Sequence, residues 1–149
     1  MDHKAIFETE TAFEVGYDPL VPCVTMAWRG YHTSAAFRAQ NERVVAELSE
    51  RRTSKMLCDI RTFVLIGAAD QEWLNTNWLP RAVNAGLRTC ALVAPVFHFN
   101  RVAVHSVVER IDSQTLSVAY FDATESARDW LCTGGIPPVE EASGGRLLL

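Results

Sequence analysis

The chain carries no CxxC pair, no HxxxH or HExxH spacing, no GxSxG elbow and no glycine-rich phosphate loop. Each absence removes a class of function. A structural zinc or a thioredoxin-type centre wants cysteines in close pairs, and Cys23, Cys58, Cys90 and Cys132 stand far apart. Metalloprotease helices present two histidines four residues apart. Among His3, His32, His98 and His105 the closest approach is the seven-residue step between the last two, and no carboxylate completes a set. A serine hydrolase sets its nucleophile on a tight strand-to-helix turn, and nucleotide loops need clustered glycines ahead of a helix. The eight glycines here are scattered. No catalytic group, metal site or cofactor is expected.

Long apolar runs and basic charge are also lacking. No stretch approaches the roughly 20 apolar residues of a membrane span. The opening Met1-Asp2-His3-Lys4 is not followed by an apolar core of signal length, so no leader is expected. With 14 Lys and Arg against 18 Asp and Glu, the net charge is −4. That balance argues against nucleic acid as a partner, since such binding wants a basic face. Three cysteines lie in apolar runs (PCVTMAW, KMLCDI, RTCALVA) and read as small buried hydrophobes in a reducing, cytoplasmic setting.

What remains is an ordinary globular chain of 149 residues, 48% hydrophobic and 21% charged. A chain of that length buries roughly 68–70% of its unfolded surface without needing staples. Ala5–Glu10 and Ala12–Tyr17 read as strands, and Cys23–Arg29 as another, with a turn at Asp18-Pro19 between them. Thr33 or Ser34 caps a helix whose apolar stripe is Phe37, Val44, Val45 and Leu48. Lys55–Ile60 is a short apolar run of the kind buried on both faces of a parallel sheet. Asp70 starts a second helix, with Leu74, Trp78 and Ala82 on one side, a break expected near Leu79 because of Pro80, and Gly86 at its end. Arg88–Ala94 is a strand. Asn100–Ile111 is rich in valine but keeps helical spacing and is read as a helix. Thr115–Phe121 alternates as a strand, and Thr124 caps a last helix carrying Ala127, Trp130 and Leu131.

The expected fold is α/β: a mixed, mostly parallel sheet of about five or six strands with helices packed on it, opening with a hairpin and continuing β-α-β-α-β-α-β-α. The domain is expected over residues 1–132, with a Gly/Pro-rich tail over 133–149.

Several runs resemble the SpoIIAA-like branch of the STAS families. They are Lys55-Met56-Leu57-Cys58-Asp59-Ile60-Arg61, Asp70-Gln71-Glu72-Trp73, Trp78-Leu79-Pro80-Arg81-Ala82, Gly86-Leu87-Arg88, Tyr120-Phe121-Asp122 and Ala127-Arg128-Asp129-Trp130-Leu131. The resemblance spans roughly Phe13 to Leu131 and implies a bacterial regulatory module used for binding and controlled by phosphorylation. In anti-sigma-factor antagonists of this kind, the phosphorylated serine starts the helix after a central strand. The matching stretch here is Gly67-Ala68-Ala69-Asp70, without a hydroxyl, and the nearest one upstream is Thr62. The resemblance therefore implies the module without its usual switch.

In open α/β sheets, ligands bind beyond the carboxyl ends of the strands. Asp59, Arg61, Asp70 and Trp73 map to that edge and are the candidate partner- or ligand-binding residues. Asp59 and Arg61 share one side of an extended strand and also suit a local ion pair. Asp70 also suits a helix cap, and Trp73 suits either a partner anchor or core packing. The leading expectation is a non-enzymatic module acting through protein contacts or self-association. The alternatives are a carrier of a small ligand (lipid or nucleotide) in the crevice at the sheet edge, and an enzyme using Asp59, Arg61 and Asp70.

Overall fold

The computed structural model describes residues 11–64, 67–96 and 98–135. The expected strand Ala5–Glu10 and the tail beyond Gly135 lie outside them. Within the described residues the chain is an α/β structure built on one five-stranded sheet in the order β1-β2-β3-β4-β5. The strands are β1 (Ala12–Asp18), β2 (Cys23–Gly30), β3 (Lys55–Phe63), β4 (Thr89–Val93) and β5 (Ser117–Phe121). β1 and β2 form the antiparallel hairpin, from Ala12 opposite Arg29 to Asp18 opposite Cys23. Every later neighbour is parallel.

Parallel neighbours need crossover connections, and right-handed crossovers between strands laid down in sequence fall on one face of the sheet. Helix α1 (Ser34–Arg51) links β2 to β3, and α4 (His98–Val108) links β4 to β5. Between β3 and β4 runs a composite helix: α2 (Ala68–Trp73), a π-helical turn (Leu74–Trp78) and α3 (Leu79–Asn84). The final helix, α5 (Thr124–Cys132), covers the opposite face.

Local chemistry explains most of the ends. Thr33 Oγ1 accepts the Ala36 N–H at 3.2 Å and caps α1. Arg52 takes a left-handed conformation (φ 55°), and its N–H closes α1 on the Leu48 carbonyl at 3.0 Å. The expected break near Leu79 takes a different form. Pro80 has no N–H to continue the ladder. The turn before it widens instead, with the Leu79 N–H reaching back five residues to the Leu74 carbonyl, so the helix passes through without stopping. Two expected caps are corrected. Gly67 occupies the cap position before α2 and Ala123 the one before α5, so Asp70 and Thr124 lie inside their helices.

Strand alternation sorts the side chains into two cores. Met56, Cys58 and Ile60 of β3 join Trp28, Phe37, Leu48, Trp78 and Leu92 under the crossover helices. Leu57 faces the other way and joins Ala91, Val93, Ala119, Trp130 and Leu131 under α5. Since, among the described residues, α5 is the helix that closes this second core, a truncation in it should be costly. Leu131 is fully buried, and Leu131→Ala is expected to destabilise the fold by about 2–5 kcal/mol in urea unfolding. A loss under about 1 kcal/mol would mean that α5 is dispensable to the sheet.

Candidate functional site

The four residues marked out by the sequence fall on both faces of the sheet. Asp59 and Arg61 point to the α5 side, alternating with Cys58 and Ile60 on the other. They form a two-pronged ion pair, Arg61 Nε to Asp59 Oδ1 at 3.0 Å and Nη2 to Oδ2 at 2.8 Å. The Arg61 backbone N–H also donates to Asp59 Oδ1. Burial pushes the Asp59 carboxyl up, but the Arg61 bonds outweigh it and hold the group below the usual carboxylate range.

Asp70 and Trp73 belong to the crossover side. Asp70 Oδ1 accepts from Ser34 Oγ at 2.8 Å and from Arg38 Nε at 2.9 Å, which ties α2 to the first turns of α1. The Arg38 guanidinium also lies over the Trp73 ring, 5.1 Å from its centre. Trp73 meets Phe37 edge-on and packs half-buried against the first core. Asp70, Trp73, Arg38 and Ser34 thus make one interhelical clasp, and Asp59 with Arg61 makes a separate one on the sheet.

A feature with no single-residue signature lies between the sheet and the crossover helices. It is a cavity of about 130 Å³, floored by Met26, Met56, Cys58, Cys90 and Leu92 and walled by the π turn and α4. Its origin is a shortage of side-chain volume. Towards the sheet α1 presents Phe37, Val44 and Leu48, whereas α4 presents Ala103, Val104, Val107 and Val108.

The π turn matters to this geometry. It brings Leu74, Trp78 and Leu79 to the cavity wall, and Trp78 Nε1 donates to the Asn41 carbonyl at 2.7 Å. π turns recur at functional sites because they re-aim side chains that a regular helix would space differently. Half-buried Leu74 and Leu79 on one side, and Val104, Val108 and Ile111 on the other, line the seam between the two helices. Arg110 Nη1 reaches across that seam to Glu72 Oε1 at 2.9 Å.

No charged side chain lines the cavity among the described residues. Its two thiols are held neutral: burial raises Cys90 to about 12 and puts Cys58 well above its ordinary value. A nucleophilic cysteine needs its thiolate, so these are wall groups. Cys23 is likewise buried and raised to about 11, and Cys132 is exposed. The described residues contain no cluster of His, Cys, Asp and Glu suited to a metal ion. None of their helices is long and apolar enough to cross a membrane. A scan of protein-family models gives no match to this chain, and no curated protein matches it.

Asp59→Asn tests the sheet-side pair. Stability at neutral pH should fall by up to about 1 kcal/mol, the range of a part-exposed ion pair. A carboxyl whose folded pKa lies below its ordinary 3.8 stabilises the fold above that value and loses this as the pH falls through the folded pKa. The gap between wild type and variant in urea midpoint should therefore close as the pH is taken from neutral to well below 3.8. A constant gap would show that the pair contributes packing alone.

Proposed function

We propose that the chain is a STAS-like, SpoIIAA-like module that binds rather than catalyses, and that what it binds is a small apolar molecule held between the sheet and the crossover helices. The observation that carries this reading is the apolar cavity of about 130 Å³ between the sheet and the crossover helices. Protein interiors seldom keep voids larger than a water molecule, and an apolar void of about 150 Å³ is known to hold a benzene-sized guest. The resemblance implies a four- or five-stranded sheet backed by helices, and the five-stranded sheet with its crossover helices is compatible with that. The Asp70 clasp stands where the family switch would be, so control by a phosphoserine at that position forms no part of the proposal.

Benzene or toluene titrated into the protein should raise its melting temperature by about 3–5 °C at ten times the dissociation constant, which is expected on the order of 1 mM. Ala103→Phe, which fills the space from α4, should abolish that shift while far-UV circular dichroism stays native. A flat response in the wild type would remove the ligand-binding reading.

A reading through protein contacts is favoured by one separate observation. Val96, Phe99 and Val102 are 62%, 76% and 53% exposed on the outer side of α4 and its approach, an unusual concentration of apolar surface. If this surface joins two copies of the chain, light scattering will give a dimer mass that reverts to monomer in Phe99→Glu. A monomer throughout would count against self-association here.

A further inference from the structure

The cavity's own lining says which molecules it can accept, and this inference rests on the ligand-binding reading above. We infer that the cavity selects a small, uncharged, aromatic ligand and rejects carboxylates of the same size. Size comes first: 130 Å³ admits one ring and little more.

Polarity comes second. A buried carboxylate needs a cation or several free N–H groups, and without them its burial costs several kcal/mol. Among the described residues the lining has no Lys, Arg or His. Its side-chain N–H donors are largely engaged. Trp78 Nε1 donates to the Asn41 carbonyl and Trp28 Nε1 to Met26 sulfur. The amides of Asn41 and Asn100 donate to the carbonyls of Phe37 and Phe63. What the lining could still offer is at most one neutral N–H from each amide and no cation, too little to offset the burial of a carboxylate.

The third argument is the character of the floor. Four sulfur atoms lie on it, those of Met26, Met56, Cys58 and Cys90. Divalent sulfur is polarisable and makes favourable contacts with aromatic rings, of about 0.3–1.5 kcal/mol each. Trp28, Phe37, Phe63 and Trp78 supply ring faces and edges around it, and rings pair well edge-to-face. A saturated ring of equal volume gains neither contact. The same soft wall, with both thiols protonated, gives a planar guest contact without chemistry.

The experiment compares three probes of similar size by calorimetry and by ¹H–¹³C methyl shifts of Val104, Val107 and Val118. They are toluene, cyclohexane and benzoate. Toluene should bind at least about twofold tighter than cyclohexane and at least about tenfold tighter than benzoate, and its methyl shifts should vanish in Ala103→Phe. Val104→Phe serves the same purpose should Ala103→Phe fail to fold. Benzoate binding as tightly as toluene, with shifts lost in the filled variant, would overturn the selectivity and leave the ligand-binding reading standing. Cyclohexane equal to toluene would overturn the aromatic preference in the same way. No binding by any of the three would remove both readings together.

Discussion

The handedness of the crossovers governs the whole arrangement. Strands β2 to β5 lie side by side in chain order. Each right-handed connection therefore lands on the same side as the one before it. Three helical segments crowd one face, and the other is left to α5. The cavity and the aromatic cluster belong to the crowded face. The ion pair of Asp59 and Arg61 can stand on the other face because α5 covers only part of it, packing mainly on β3, β4 and β5 and meeting the β1–β2 hairpin at its turn end, where Arg128 Nε donates to Asp18 Oδ2 at 2.6 Å.

The crowded face is packed unevenly. Near the hairpin, Trp28 touches Phe13, Phe37 and Phe63, with ring centres between 4.4 and 5.4 Å apart. That end is filled by large rings. Towards β5 the helix above carries alanine and valine, and the strands below carry cysteine and methionine. Small groups on both sides leave room that large groups elsewhere do not. Specific fixings join the helices around this room. Asp70 joins α2 to α1, Arg81 grips Glu42 through two bonds of 2.7 and 2.6 Å, and Arg110 joins Glu72 across the seam. At the far end, Asn100 of α4 hydrogen-bonds to the Phe63 carbonyl at the end of β3.

Much of this was legible in the residues, and the limits have physical causes. The alternation of Leu116, Val118 and Tyr120 and the helical spacing of Phe37, Val44 and Leu48 each describe one element against one partner face. Elements of that kind are found correctly, and Asn100–Ile111 proves helical despite its valines, over His98–Val108. The strand after Lys55 runs three residues further than expected, to Phe63, because its pairing with β2 continues past an irregularity near Trp28. Asp70 is misplaced by sequence reasoning because a carboxylate near a helix start looks the same whether it caps its own helix or reaches a neighbour. The candidate group divides for a similar reason. Asp59 and Asp70 both sit near the end of one strand, but strand parity sends the first to one face and the chain then crosses to the other. The cavity had no signal at all, since it arises from what four separate segments fail to fill.

The π turn at Leu74–Trp78 has a meaning for the history of such a helix. A single π turn is what a straight α-helix becomes when one residue is inserted and the hydrogen bonds close around it. The wider turn absorbs the extra residue, so α3 keeps the phase it would have without it. Fully buried Ala82 therefore stays on the inner side, one α-helical step of four residues on from buried Trp78. A chain one residue shorter between Leu74 and Trp78 would keep the same strands and crossovers and close into a regular α-helix, changing only the wall that the wide turn presents to the cavity. Length variation at this single position is thus a way for evolution to remodel the interior without touching the sheet.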